Sequence, residues 1–123
     1  MENSLNILVA DDERMLRRAL RRVLERAGYT VHLAEDGQQA IDIFIANKER
    51  IDLVILDMNM PNKTGVEAFS EIIQISGEQR VVISSGDNEN EILARFPNRK
   101  PHGILQKPFI ISELLNQIQS FIG

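Results

Sequence analysis

Apolar residues follow two alternating patterns along the chain, short unbroken runs and longer stretches spaced at three and four, as strands alternating with helices require. Residues 5–10, LNILVA, form one such run and end on Asp11 and Asp12. From Glu13 onward, Leu16, Leu20, Val23, Leu24 and Ala27 fall on one helical face, and Gly28 supplies the stop expected at a helix C-terminus. Residues 30–34, TVHLA, read as a second strand, and Gly37 opens a second helix with Ala40, Ile41, Phe44 and Ile45 on a shared face. The run 53–56, LVIL, has no polar alternation at all. That is the signature of a strand covered on both faces and predicts a central place in a parallel sheet. The remaining pattern predicts a helix over 65–75, a strand over 80–84, a short helix over 88–96, a loop over 97–103, a strand over 104–106 and a closing helix over 111–122. Repeated βα units of this kind imply an α/β fold of roughly five parallel strands and about five helices.

Length and composition narrow the classes. A chain of 123 residues with no internal linker, repeat or low-complexity segment is expected to be one domain, because domains cluster at ~100–150 residues. A hydrophobic share of 43% and a charged share of 26% are those of a folded globular protein rather than a disordered one. The absence of cysteine excludes disulfides, thiolate metal sites and a cysteine nucleophile, and it fits a reducing compartment, so a cytoplasmic location is expected. No run approaches the ~18 apolar residues of a membrane span, so membrane insertion is not expected. A net charge of -4 and a pI near 5.2 argue against general nucleic-acid binding. The first helix is locally basic, with Arg14, Arg17, Arg18, Arg21, Arg22 and Arg26, and reads as a solvated face balanced by acidic neighbours rather than a DNA-binding one. His32 and His102 stand alone, without metal-ligand spacing.

In open parallel sheets ligands bind outside the carboxyl ends of the strands. The predicted strands deliver Asp11 and Asp12, then Asp57, then Ser84 and Ser85, then Lys107 followed by Pro108 to that edge. Clustered carboxylates repel one another and must be protonated, exposed or neutralised, and a hard oxygen-ligand cation such as Mg²⁺ does the last. Taken singly, several of these residues have plainer readings. Asp11 and Asp12 serve equally as helix caps, Lys107 as a solvated lysine, and Gly65 as a turn glycine. Composition does not separate Ser84 from Ser85. Asp57, at the end of an apolar run and in register with the other two groups, is harder to assign to a turn alone.

The ordered set of DD at 11 and 12, LDMNMPNKTG from 56 to 65, SSG from 84 to 86 and KPF from 107 to 109 resembles the receiver domain of two-component response regulators over nearly the whole chain. The resemblance implies a doubly wound, flavodoxin-like sheet of order 2-1-3-4-5 with flanking helices. It further implies that Asp57 accepts a phosphoryl group from a phosphohistidine on a sensor histidine kinase or histidine phosphotransfer protein. Asp12 and Asp57 would be direct Mg²⁺ ligands, with Mn²⁺ as an alternative ion, Asp11 a ligand mainly through water, and the backbone carbonyl of Asn59 a further one. Ser85 takes the place of the switch residue that bonds the phosphoryl oxygens, and Lys107 that of the lysine that contacts them. Asn59 and Asp87 flank the acceptor, the Lys107–Pro108 bond is expected to be cis, and the first helix borders the site where the family docks the phosphoryl donor. The chemistry suits the residues, because phosphoryl transfer is mostly positioning and charge neutralisation, and an aspartate with a reference pKa of ~3.9 needs no general base.

One position departs from the family. The usual aromatic switch residue, three before the lysine, is Ile104, so the readout of phosphorylation is expected to differ in form. The protein is therefore expected to be a signalling receiver and not an enzyme in its own right, acting on a downstream protein target, with a phosphorylation-dependent dimer among its states. It would be either a stand-alone regulator or the receiver portion of a hybrid sensor kinase or larger regulator. Two competitors are an interaction-only pseudo-receiver and a haloacid-dehalogenase-like phosphatase. The latter also uses an aspartate after a hydrophobic strand, but Asn59 stands where its second acid belongs, and the chain is short.

Overall fold

In the computed structural model, which describes residues 5–122, strands and helices alternate in the order β1 (Asn6–Ala10), α1 (Arg14–Arg26), β2 (Thr30–Ala34), α2 (Gly37–Asn47), β3 (Ile51–Asp57), α3 (Gly65–Ile75), β4 (Val81–Ser85), α4 (Glu89–Ala94), β5 (Gly103–Gln106) and α5 (Ile111–Ile122). The five strands are parallel and ordered β2-β1-β3-β4-β5, the doubly wound arrangement expected of the sequence. β3 lies in the middle, as its unbroken apolar run requires. Leu53 and Ile55 face one core, with Val9, Val82, Leu105 and residues of α1 and α5. Val54 and Leu56 face the other, with Leu8, Ile83 and residues of α2, α3 and α4. A strand whose successive side chains enter two different cores has no solvent face for polar residues to occupy.

Local chemistry sets the ends of the elements. Gly28 closes α1 at φ 98, while its N–H and that of Tyr29 bond the carbonyls of Glu25 and Leu24, the paired bonds of a Schellman cap. Asp36 caps α2 through the Gln39 N–H, and Thr64 with Glu67 and Asn88 with Glu91 form capping boxes on α3 and α4. These three N-caps sit at the carboxyl edge of the sheet, so the same residues that start the helices shape the loops around that edge.

The differences from the sequence pattern are small and physical. Ile45 is 51% exposed because α2 buries only the arc of Gly37, Ala40, Ile41 and Phe44, and Ala27 is exposed as the cap of α1 rather than part of its face. The helix expected over 88–96 stops at Ala94, where the chain turns to seat Phe96 in the core. β3 includes Asp57 as its last residue, β4 is displaced by one residue from the expected span, and β5 begins one residue earlier than expected.

Candidate functional site

Three strand ends bring the expected residues together. Beyond the last residue of β1, the Asp11 N–H donates to the Ala34 carbonyl at 3.1 Å, so Asp11 continues the pairing with β2 and is held in line. Ala10 pairs with Leu56, which places Asp11 beside Asp57. The Met58 N–H donates to the Ser84 carbonyl and the Lys107 N–H to that of Ser85, tying the chain just past β3 to β4 and that past β5 to β4. Carboxylate oxygens of Asp11, Asp12 and Asp57 consequently lie within 4.8 Å of one another, with Asp11 and Asp57 buried and Asp12 exposed. Lys107 Nζ donates to Asp11 Oδ2 at 3.0 Å and stands 3.3 Å from Asp57 Oδ1 and 3.7 Å from Glu13 Oε1.

The electrostatics follow from that crowding. Burial, then the charge of Asp11, pushes the Asp57 carboxyl up to about 6, against the pull of Lys107 and of the Asn59 backbone N–H that bonds it. Burial opposes the charge on Lys107, but Asp11 and Asp57 outweigh it and hold the ammonium above its ordinary value. One lysine thus neutralises only part of a three-carboxylate cluster. The donor set, all hard oxygen and short of positive charge, fits a cation such as Mg²⁺. The capping reading does not hold for Asp11: the N-cap of α1 is Glu13, without a side-chain cap bond, and Asp11 Oδ1 accepts the Glu13 N–H at 2.8 Å in the turn before the helix while its other oxygen serves Lys107. Both oxygens of Asp11 are thus engaged within the protein.

Ser84 and Ser85 now separate by face. Ser84 is the register partner of both Asp57 and Leu105, on the same side of the sheet as Val82, and its buried hydroxyl has no hydrogen-bond partner among the described residues. Ser85 lies on the opposite parity, and its Oγ accepts the Asp87 N–H at 3.1 Å. The Lys107–Pro108 bond is cis, as expected. Ile104 is half-buried against the core of α2, α3 and α4. His32 Nε2 is 3.0 Å from Asn6 Oδ1, and His102 Nδ1 accepts the Val81 N–H, so both histidines serve the fold.

Two features were not legible in the sequence. Gly65 is more than a turn residue: its N–H donates to the Met58 carbonyl at 2.9 Å, and a Cβ there would stand 2.4 Å from the Asp57 carbonyl oxygen. Only glycine lets α3 begin this close to the acid cluster. Arg17 is an exception to the solvated basic face, since its guanidinium donates to the Asp11 carbonyl at 2.8 Å and anchors α1 to the site.

A family model of the response regulator receiver domain matches residues 7–119. The response regulator MprA of Mycolicibacterium vanbaalenii is 34% identical over 119 residues, covering 96% of this chain and 50% of that protein. The chain thus spans about half the length of the curated relatives it matches. Among solved structures, a response regulator receiver domain protein from Clostridium thermocellum is 30% identical with a TM-score of 0.85, covering 96% of this chain and 94% of its own. The chemotaxis response regulator CheY4 of Vibrio cholerae is 29% identical with a TM-score of 0.86, covering 97% and 99%. With the sheet order, the acid cluster and its lysine in place, and a family match over both, the chain belongs to the response regulator receiver domains of two-component signal transduction.

Proposed function

We propose that residues 1–123 act as one phosphoacceptor receiver, in which Asp57 takes a phosphoryl group from a phosphohistidine of a sensor histidine kinase or histidine phosphotransfer protein. A carboxylate oxygen of Asp57 forms the new P–O bond as the P–N bond of the donor breaks, and the imidazole leaves as the neutral base after protonation. The single observation that carries this reading is the convergence of Lys107 on Asp57 and Asp11, at 3.3 and 3.0 Å, inside a cluster of three carboxylates.

Asp12 and Asp57 would hold Mg²⁺ or Mn²⁺ directly, Asp11 chiefly through water, and Asn59 through its backbone carbonyl. When bound, the ion supplies neutralisation of charge on the phosphoryl oxygens. The chain's own groups do the positioning. Lys107 holds one carboxylate oxygen of Asp57 and is placed to follow negative charge onto the phosphoryl group, and the Asn59 N–H fixes the Asp57 carboxylate. Ser85 is the proposed ligand of the phosphoryl oxygens; its hydroxyl would leave the Asp87 N–H to reach them. The exposed apolar residues Met15, 78% accessible, and Ile110 and Ile111 flank the site beside α1 and suit docking of the donor. A cytoplasmic location, a downstream protein target and a phosphorylation-dependent dimer belong to the same reading. Self-catalysed phosphotransfer and dephosphorylation would be its only chemistry.

Beryllofluoride with Mg²⁺ is expected to bind at Asp57, and Mg²⁺-dependent labelling by acetyl phosphate to disappear in Asp57→Asn. Full labelling in that variant would remove Asp57 from the role, and turnover of a phosphomonoester by the native protein would favour the phosphatase reading instead.

A further inference from the structure

Away from the acid cluster, α3 and the chain leaving α4 enclose an apolar cleft of about 240 Å³. Val66, Phe69 and Ile73 line one wall and Phe96 the other, and the rings of Phe69 and Phe96 meet edge to face with centroids 5.1 Å apart. Both rings belong to the core that also holds Met58, the residue after Asp57, and against which Ile104 packs. Arg95 and Arg99 stand at the rim. The Arg99 guanidinium is pinned to the Gly77 carbonyl beyond α3, while Arg95 has no side-chain partner among the described residues. No acidic residue among those described lines the cleft, although the chain as a whole carries a net charge of -4.

We propose that this cleft docks the output partner, a protein segment that inserts one aromatic or branched aliphatic side chain flanked by carboxylates. The volume falls below the ~300 Å³ at which pockets for small ligands begin, so it suits a single anchoring side chain. Two guanidiniums over an apolar floor are complementary to an acid beside a hydrophobic anchor and repel a basic one. The inference rests on the receiver reading for its regulation. α3 begins at Gly65, held to the Met58 carbonyl, and α4 begins four residues after Ser85, so the two walls follow the two loops that frame Asp57. A change at Asp57 that moves either loop alters the cleft. Coupling between the two sites is then reciprocal, and it needs no aromatic residue at position 104.

The test is a titration of ¹⁵N-labelled full chain with three synthetic peptides: one bearing a central Phe flanked by Glu residues, one with Lys in place of Glu, and one with Ala in place of Phe. Each is run with and without beryllofluoride and Mg²⁺. The acidic Phe peptide is expected to shift the amides of Phe69, Ile73, Phe96 and Arg99 and to bind at least about tenfold more tightly than either control, the scale of a charge-assisted bond. Arg95→Glu, a change at an exposed and unpaired side chain, is expected to abolish or reverse the charge preference. Beryllofluoride is expected to change the affinity of the acidic peptide. Binding that ignores charge, an absence of shifts at the cleft, or shifts that follow protein concentration rather than peptide, which would seat a second copy there, each overturn the proposal. Amides around Asp57 report beryllofluoride in the same spectra. If they respond while the cleft stays silent, the cleft proposal fails and the receiver reading stands; if they stay silent, the receiver reading and the proposed regulation fail together, leaving the peptide preference to decide docking.

Discussion

An added Cβ at Gly65 would lie 2.4 Å from the carbonyl oxygen of Asp57 and 2.9 Å from the Cα of Met58, so the first residue of α3 touches the backbone that presents the acceptor. Backbone on both sides leaves no flexible side chain to yield. Gly65→Ala is therefore expected to push α3 from the end of β3, at a cost of ~1–3 kcal/mol typical of overpacking. Beryllofluoride affinity should fall with stability, because Asp57 itself is displaced. Chemical denaturation together with a beryllofluoride titration checks both. A variant of native stability and affinity would mean that the contact relaxes without moving Asp57.

Lys107 occupies carboxylate oxygens that a cation would also use, at 3.0 Å from Asp11 and 3.3 Å from Asp57. Replacing it with Ala removes a competitor for those oxygens and, at the same time, a ligand for the phosphoryl group. Mg²⁺ affinity measured by calorimetry is thus expected to hold or rise, while beryllofluoride affinity falls ~10- to 100-fold, the range of a hydrogen bond to a charged group. Equal loss of both would identify Lys107 as a support for the fold alone.

Asp36 links the cap of α2 to the loop after β3. Its carboxylate accepts the Gln39 N–H at 2.8 Å and the Asn62 side-chain amide at 2.8 Å, and Asn62 itself sits at φ 68, a conformation that asparagine tolerates. The Gln39 bond, then Asn62, holds the Asp36 carboxyl below its ordinary value of 3.8. A depressed acid stabilises the fold when ionised, so its contribution is full above the ordinary value and is lost as pH falls through the depressed one. Asp36→Ala is expected to cost ~1 kcal/mol at neutral pH, the usual worth of an N-cap. The gap between variant and native protein should narrow below pH 3.8 in urea melts, and a gap that widens there would contradict the linkage.

Much of this was legible in the sequence because its signals are local. The run at 53–56 needs no partner to declare a doubly covered strand, and Gly28 announces a helix end by itself. Asp11, Asp57 and Lys107 were identifiable because parallel strands carry the residues at their carboxyl ends to one edge of the sheet. Non-local facts were hidden. The role of Gly65 depends on a backbone that approaches from another element, and the faces of Ser84 and Ser85 depend on the register of β4 against β3. The exposure of Ile45 reflects how narrow an arc of α2 the sheet covers, and the cleft exists only because Phe96, beyond the end of α4, folds back onto Phe69.

Ser84 offers the most direct test of that register. Its hydroxyl is buried beside Asp57 in the row of side chains that runs from Asp11 to Leu105, yet no protein group among the described residues bonds it. A buried polar group without a partner costs ~1–3 kcal/mol, whereas the methyl of alanine carries no such penalty and leaves almost the same shape. Ser84→Ala is therefore expected to raise stability by ~1 kcal/mol, a Tm gain of ~3–6 °C for a domain of this size. Its hydroxyl does not contact the Asp57 carboxylate, so Mg²⁺-dependent labelling by acetyl phosphate should be kept. A fall in Tm would show that the hydroxyl is bonded, through water or to the site itself. A simultaneous loss of labelling would place that bond at the acceptor and make Ser84 a positioning residue for Asp57.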